Sequence, residues 1–232
     1  LFANMDDLVK QRNPEVYLKN KSEFACFIYS NAGASKRKEF LFKLAKYKHV
    51  HSAGRFLNNI GGPIPGFEKE KRDYIKKFKF TFAFENNSYP GYTTEKILDP
   101  LLCGSVPLYW GNTLVGNDFN PKSFLNYHDF SSDEEFIEQI IRYDNDLNLY
   151  MEMLSEPPFT NNQINEFVCK HNVLNRFKFI FDQDIEPIAL SNPDCSNRNV
   201  VTNSRFRLRK AKFDSQIIKK KLVDFSVNKL LV

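Results

Sequence analysis

Thirteen consecutive residues, Phe84-Glu85-Asn86-Asn87-Ser88-Tyr89-Pro90-Gly91-Tyr92-Thr93-Thr94-Glu95-Lys96, bring together the groups needed to hold an anion. An apolar run ends in an Asn- and Gly-rich loop, which then enters a predicted helix over residues 94–103. The free N–H groups of a first helical turn and the positive end of its dipole favour phosphate. Lys96 adds a mobile positive charge. Asn86 and Tyr92 can donate hydrogen bonds to phosphate oxygens, and Glu95 is an acceptor suited to sugar or ribose hydroxyls. The same letters also describe a capped helix that binds nothing, with Thr93 or Thr94 as N-cap and Glu95 as the acid that complements the dipole. Spacing alone leaves both readings open.

The elements that must position this segment follow from hydrophobic periodicity. Residues 24–29 (FACFIY) form a short continuous apolar run, the pattern of a strand buried on both faces. A polar break at 30–35 leads to Phe40, Leu41, Leu44 and Tyr47 at helical spacing, so strand, loop and helix succeed one another. Residues 48–52 suit a second strand. The run Gly61-Gly62-Pro63-Ile64-Pro65-Gly66 is turn chemistry and carries no phosphate role of its own. A charged helix over 68–78, a strand at 80–84 (FTFAF) and a strand at 106–110 come next. Helices are expected at 133–143, 147–154 and 163–181, the last carrying Ile164, Phe167, Val168, His171, Leu174 and Phe177 on one side. Strands alternating with helices predict an α/β fold, a Rossmann-like parallel sheet with helices on both faces. Ligands of such sheets bind outside the carboxyl ends of the strands. Trp110 and Phe84 read as core, Asn112 as a turn residue, and Pro100 should bend or shorten the helix that contains it.

Three blocks in order, Phe84-Glu85-Asn86, Tyr92-Thr93-Thr94-Glu95-Lys96-Ile97 and Val106-Pro107-Leu108-Tyr109-Trp110-Gly111, resemble the signature of the α-1,3/α-1,4-fucosyltransferases, glycosyltransferase family ten. Residues 118–124 (DFNPKSF) and 128–130 (HDF) are similar to the bacterial members, and Ser30-Asn31 followed by Arg37 and Phe40 fits the family upstream. The resemblance spans residues 24–181. It implies the C-terminal half of a GT-B enzyme, the half that binds the donor GDP-fucose, with a glycan acceptor as the second substrate. It further implies that Arg37 and Lys96 contact the pyrophosphate and that Asn86 and Tyr92 line the same pocket. Glu95 would face the ribose and fucose, supporting an oxocarbenium-like transition state without being the base. The implied reaction is inverting transfer of L-fucose from GDP-β-L-fucose to a hydroxyl of N-acetylglucosamine or glucose, with no metal cofactor required. The family's general base belongs to the other half, so no residue here is assigned that role. Two other readings stand beside this one: a GT-B transferase of another nucleotide sugar, and a non-catalytic GDP-sugar-binding module.

The net charge of +5 is unevenly spread. Residues 205–232 hold nine Lys or Arg against Asp214 and Asp224, a balance of +7, which leaves −2 for the rest. Ile217, Ile218, Leu222, Val223 and Phe225 interleave with Lys219, Lys220 and Lys221, which suits either an amphipathic helix on anionic membrane or a solvated tail. No recognition motif accompanies the charge, so nucleic acid is not an expected partner. The organisation expected is residues 1–21 as a polar, irregular linker or the end of an acceptor domain, 22–187 as the donor-binding domain, and 188–232 as the basic tail. The resemblance implies a place in the cytoplasm or at the inner membrane face if bacterial, and at the Golgi membrane if eukaryotic. No apolar run reaches the roughly 18 residues of a membrane-spanning helix. Cys26, Cys103, Cys169 and Cys195 lack metal-ligand spacing, and Cys26 and Cys103 read as buried thiols. His49 and His51 alternate around Val50 as on a strand. Asp144-Asn145-Asp146 has the letters of a metal-holding DxD but reads as a helix-capping turn.

Overall fold

The computed structural model describes residues 5–65, 68–164, 166 and 169–182. The chain divides into two compact units, Leu1–Arg176 and Phe177–Val232, and the sheet with its flanking helices belongs to the first. In chain order the elements are α1 (Met5–Leu8), α2 (Pro14–Leu18), β1 (Glu23–Phe27), α3 (Ser35–Leu44), β2 (Val50–Ser52), α4 (Glu68–Ile75) and β3 (Phe78–Phe84). They continue with α5 (Leu98–Leu102), β4 (Val106–Trp110), α6 (Val115–Asp118), β5 (Leu125–Asn126), α7 (Asp133–Asn145), α8 (Leu147–Ser155) and α9 (Lys170–Phe181).

The five strands form one parallel sheet in the order β2-β1-β3-β4-β5. Its central strands are mostly apolar because both faces are covered, as parallel sheets require, with Glu23, Lys79 and Thr81 as the polar exceptions in β1 and β3. On one face α3, α7 and α8 bring Phe40, Leu44, Phe136, Ile140, Tyr150 and Leu154 against Phe24, Phe80, Phe82 and Phe84. On the other, Ile97, Leu98 and Leu101 pack with Ala83, Tyr109 and Phe124, while Ile75 joins Phe78, Cys26 and Cys103. This is the α/β architecture expected. Phe40 is its ring hub, stacked on Phe84 at 5.2 Å and meeting Phe82, Phe136 and Tyr127. Truncating so buried a ring costs about 3–5 kcal/mol. The sheet runs outward from β1 to β2 in one direction and from β3 through β4 to β5 in the other, so the strand order reverses between β1 and β3. That reversal opens a crevice at the carboxyl ends of those two strands.

Several expectations need correction. Residues 5–20 are not irregular: Asn13 caps α2 through Glu15 and Val16 N–H, and Leu8 is buried. Arg12 donates to the carbonyls of Leu154 (2.8 Å) and Leu101 (2.9 Å), satisfying acceptors at the ends of α8 and α5. Tyr17 occupies the space beside Gly104, where a Cβ would lie 2.2 Å from its ring and where φ is +63°. The helix expected from Thr94 begins only at Leu98. Pro100 is the reason: in a helix started at 94 it would lack an interior hydrogen bond at a cost of about 3 kcal/mol, whereas in α5 it lies in the first turn, where N–H groups are free anyway. The helix expected over 163–181 starts at Lys170, and Gln163 is extended. There Leu174 and Phe177 are exposed. Cys26 and Cys103 are buried thiols, both pushed up to about 12 by burial. Asp146 caps α8 through Leu149 N–H at 3.0 Å, as the capping reading expected, while Asp144 pairs with Lys48 and Lys79. His51 pairs with Glu23 at 3.2 Å. Among the described residues no group of three or more His, Cys, Asp or Glu could hold a metal ion, and no helix is long and apolar enough to cross a membrane. The basic tail lies outside the described residues.

Candidate functional site

The crevice between β1 and β3 receives two segments: the loop after β1 that leads into α3, and the loop after β3. The start of α3 has no side-chain cap, since Ala34 sits at the N-cap position, and its first turn carries Lys36, Arg37 and Lys38. Cations at the positive end of a helix dipole are unfavourable for folding. With the free N–H groups beside them, they make a place for an anion.

The three cations have different fates. Lys38 is exposed. Lys36 donates to Tyr127 Oη (2.6 Å) and Asp133 Oδ1 (2.7 Å), so its charge is spent tying α3 to α7. Arg37 is only 1% exposed. Its guanidinium lies 4.3 Å from the Tyr29 ring centroid, Nη2 donates to Asn86 Oδ1, and Nε finds no acceptor. Burial draws its pKa down from the usual guanidinium value, while Tyr29, Glu85 and Tyr92 pull it back up. A buried guanidinium with an orphan N–H is costly unless a ligand completes it.

The loop after β3 is built on Glu85. This carboxylate is fully buried; it accepts from Thr94 N–H (2.8 Å), Thr94 Oγ1 (2.8 and 2.9 Å to its two oxygens) and Lys96 Nζ (3.0 Å). Lys96 also donates to Thr94 Oγ1 at 2.9 Å. Thr94 and Lys96 therefore face inward, and Glu95 between them faces out, its side chain 56% exposed and 3.7 Å from Lys96. Although burial opposes ionisation, Lys96, its own backbone N–H, Thr94 and Lys71 hold Glu95 below the ordinary glutamate pKa. A small cavity of about 60 Å³ lies against Tyr29, Thr81, Lys71, Glu95 and Lys96.

Asn112, after β4, clamps the same loop. Its Oδ1 accepts from Gly91 N–H (2.7 Å) and Leu114 N–H (2.9 Å), and its Nδ2 donates to Thr93 Oγ1 (2.9 Å). Phe84 is core, as expected. Trp110 is half-buried, packed on Phe84 and stacked on His128 at 6.4 Å.

The residues singled out from sequence thus gather at one end of the sheet. Arg37 meets Asn86, Tyr92 lies within electrostatic reach of Arg37, and Glu95 and Lys96 follow on the same loop as Asn86 and Tyr92. Sequence reasoning gave no part to Glu85, and it took Asn112 for a simple turn residue. A charged residue directly after the five apolar positions of β3 was the available signal for Glu85.

A model of the family described as glycosyltransferase family 10 (fucosyltransferase), C-terminal part, matches residues 18–157, which includes every residue just described. The chain belongs to this family. The family 10 chain is 34% identical over 168 residues to the α-(1,3)-fucosyltransferase FucT of Helicobacter pylori, covering 71% of its own length and 34% of that protein's. It is 27% identical over 199 residues to the putative fucosyltransferase R654 of Acanthamoeba polyphaga mimivirus, covering 82% and 33%. A crystal structure of an α1,3-fucosyltransferase with GDP-fucose superposes with a TM-score of 0.64 at 32% identity, over 78% of this chain and 54% of that one. The same comparison with a GDP-bound crystal structure gives 0.64 at 31% identity. The family 10 chain therefore spans about a third of these curated relatives and about half of the solved chains.

Proposed function

We propose that this family 10 domain is the donor-binding part of an inverting α-1,3-fucosyltransferase, which transfers L-fucose from GDP-β-L-fucose to a hydroxyl of N-acetylglucosamine or glucose. The observation that carries the reading is Arg37, a buried guanidinium with an unpartnered Nε, held at the switch point of a parallel sheet beside Asn86. The reading is supported by similarity to a solved α1,3-fucosyltransferase with GDP-fucose.

In this mechanism the planar donors of Arg37 and the charge of Lys96 grip the diphosphate. Asn86 and Tyr92 add hydrogen bonds, and Glu95 accepts from ribose or fucose hydroxyls. As the bond from the anomeric carbon to the diphosphate oxygen breaks, negative charge grows on GDP, and Arg37, Lys96 and the α3 N–H groups offset it. The acceptor hydroxyl attacks from the opposite face and gives its proton to a base supplied by the acceptor-binding half. The ionised Glu95 favours the cationic sugar at the transition state. No residue of this step requires a metal. Contact with anionic membrane through the basic tail completes the proposal, which places the protein at the inner membrane face in a bacterium or at the Golgi membrane in a eukaryote.

Calorimetric titration with GDP, UDP and GDP-mannose tests the donor assignment: guanine nucleotides should bind and UDP should not. Indifference to GDP would sink it. Tight GDP binding without fucose transfer by the full-length protein would instead leave a non-catalytic GDP-sugar module.

A further inference from the structure

The donor reading leaves unexplained why a carboxylate is buried beneath the cation meant to hold a diphosphate. Glu85 lowers the positive charge of the site, and burying an ion pair is rarely a net gain in stability. It is no base for the acceptor either, since it is fully buried and its oxygens already accept from Thr94 and Lys96.

Its surroundings fix it rigidly. The Glu85 N–H donates to Trp110 O at 2.7 Å, extending the β3–β4 ladder by one residue. Its side chain fills space left open by Gly111, where a Cβ would lie 2.5 Å from Glu85 Cγ. From this anchor the carboxylate accepts the hydrogen bond of the Thr94 hydroxyl, so the lone pairs of the Thr94 oxygen are free to accept from Lys96. Two of the three ammonium hydrogens of Lys96 are thereby committed, to Glu85 Oε2 and Thr94 Oγ1, on a side chain otherwise free to rotate about four bonds. The third makes no hydrogen bond, the Glu95 carboxylate lying 3.7 Å from the nitrogen, and can turn to a ligand.

We propose that Glu85 is a positioning residue: through Thr94 it clips the loop and holds the Lys96 ammonium where the donor's diphosphate arrives. This rests on the donor reading above. It explains the order of residues as well. In Thr94-Glu95-Lys96 the outer two turn toward Glu85, and the middle one is left exposed.

Two probes separate positioning from a structural role: pyrophosphate, which reports the phosphate subsite, and guanosine, which does not. The Glu85→Gln variant should weaken pyrophosphate and GDP at least tenfold, with guanosine affinity changed less than twofold. In a cycle with Lys96→Met, the double variant should bind GDP no more weakly than Lys96→Met alone, because each change disables the same contact. Parallel loss of guanosine and pyrophosphate, or additive losses in the cycle, would overturn the proposal. If Glu85→Gln does not fold, Glu85→Asp keeps the charge but withdraws it by one methylene, and GDP affinity equal to the unmodified protein's would overturn it. An unchanged GDP affinity in Lys96→Met would instead sink the donor reading itself, so the two failures are distinguishable.

Discussion

Replacing Arg37 by Met should make the empty protein more stable while nearly abolishing its affinity for GDP. Among the described residues Arg37 has no carboxylate partner at ion-pair distance; it has the Asn86 amide, the Tyr29 ring and an orphan Nε. Exchanging buried charged groups for apolar ones of similar volume stabilises by about 1–4 kcal/mol. The lost cation–π contact and single hydrogen bond together return about 1–2 kcal/mol of that. The remaining gain of up to about 3 kcal/mol corresponds to a melting temperature raised by up to about 10 °C for a unit of this size. Ligand binding moves the other way. Two charge-assisted hydrogen bonds to a diphosphate are together worth about 3–6 kcal/mol, so GDP affinity should fall by at least about 100-fold. Differential scanning fluorimetry reads both effects at once. At a GDP concentration about 100 times the unmodified Kd, the unmodified protein gains about 2.7 kcal/mol, whereas a variant binding 100-fold more weakly gains only about 0.4 kcal/mol. An Arg37→Met variant that melts lower than the unmodified protein without ligand, yet keeps its GDP-induced shift, would refute the reasoning. It would mean that Arg37 serves the fold and not a ligand.

Asp133 should matter for stability in a way that pH exposes. Burial works against its charge, but hydrogen bonds from Lys36, Lys43 and Tyr127 draw it down to about 2. A depressed carboxylate pKa stabilises above the unfolded value near 4, and that contribution disappears as pH falls through the folded value. Urea unfolding should therefore show Asp133→Asn weaker by about 2 kcal/mol at pH 6, with the gap closing toward pH 2; a pH-independent gap would count against it. Gly104→Ala should lower stability by about 1–3 kcal/mol, since φ is +63° and the new Cβ would press on the Tyr17 ring; an unchanged melting temperature would show that this contact yields. Removing residues 205–232 should abolish salt-sensitive sedimentation with vesicles rich in phosphatidylserine, each Lys or Arg near the surface being worth about 1 kcal/mol. Equal sedimentation of both forms would remove the basis for membrane contact through the tail.

The sequence alone determined the sheet and the address of the site. Apolar runs such as FACFI and FTFAF alternate with amphipathic stretches, and that pattern has few solutions besides a parallel sheet covered on both faces. The order of Asn86, Tyr92, Glu95 and Lys96 then placed the polar loop at the end of a strand. Tertiary structure decided which side each residue serves. Thr94 and Lys96 looked like the first turn of a helix, yet Pro100 delays that helix and Glu85, drawn under the loop by β3, turns both residues inward. Lys36 and Arg37 are neighbours in one basic run, but the helix sends the first to Asp133 and buries the second beside Asn86. Local periodicity encodes burial along one element, which is why the strands could be read. The partner of a buried charge lies on another element, and in this protein the separations are 97 residues for Lys36 and Asp133 and 49 for Arg37 and Asn86. Only folding brings such residues together, so only the structure could show which charges pair within the fold and which do not.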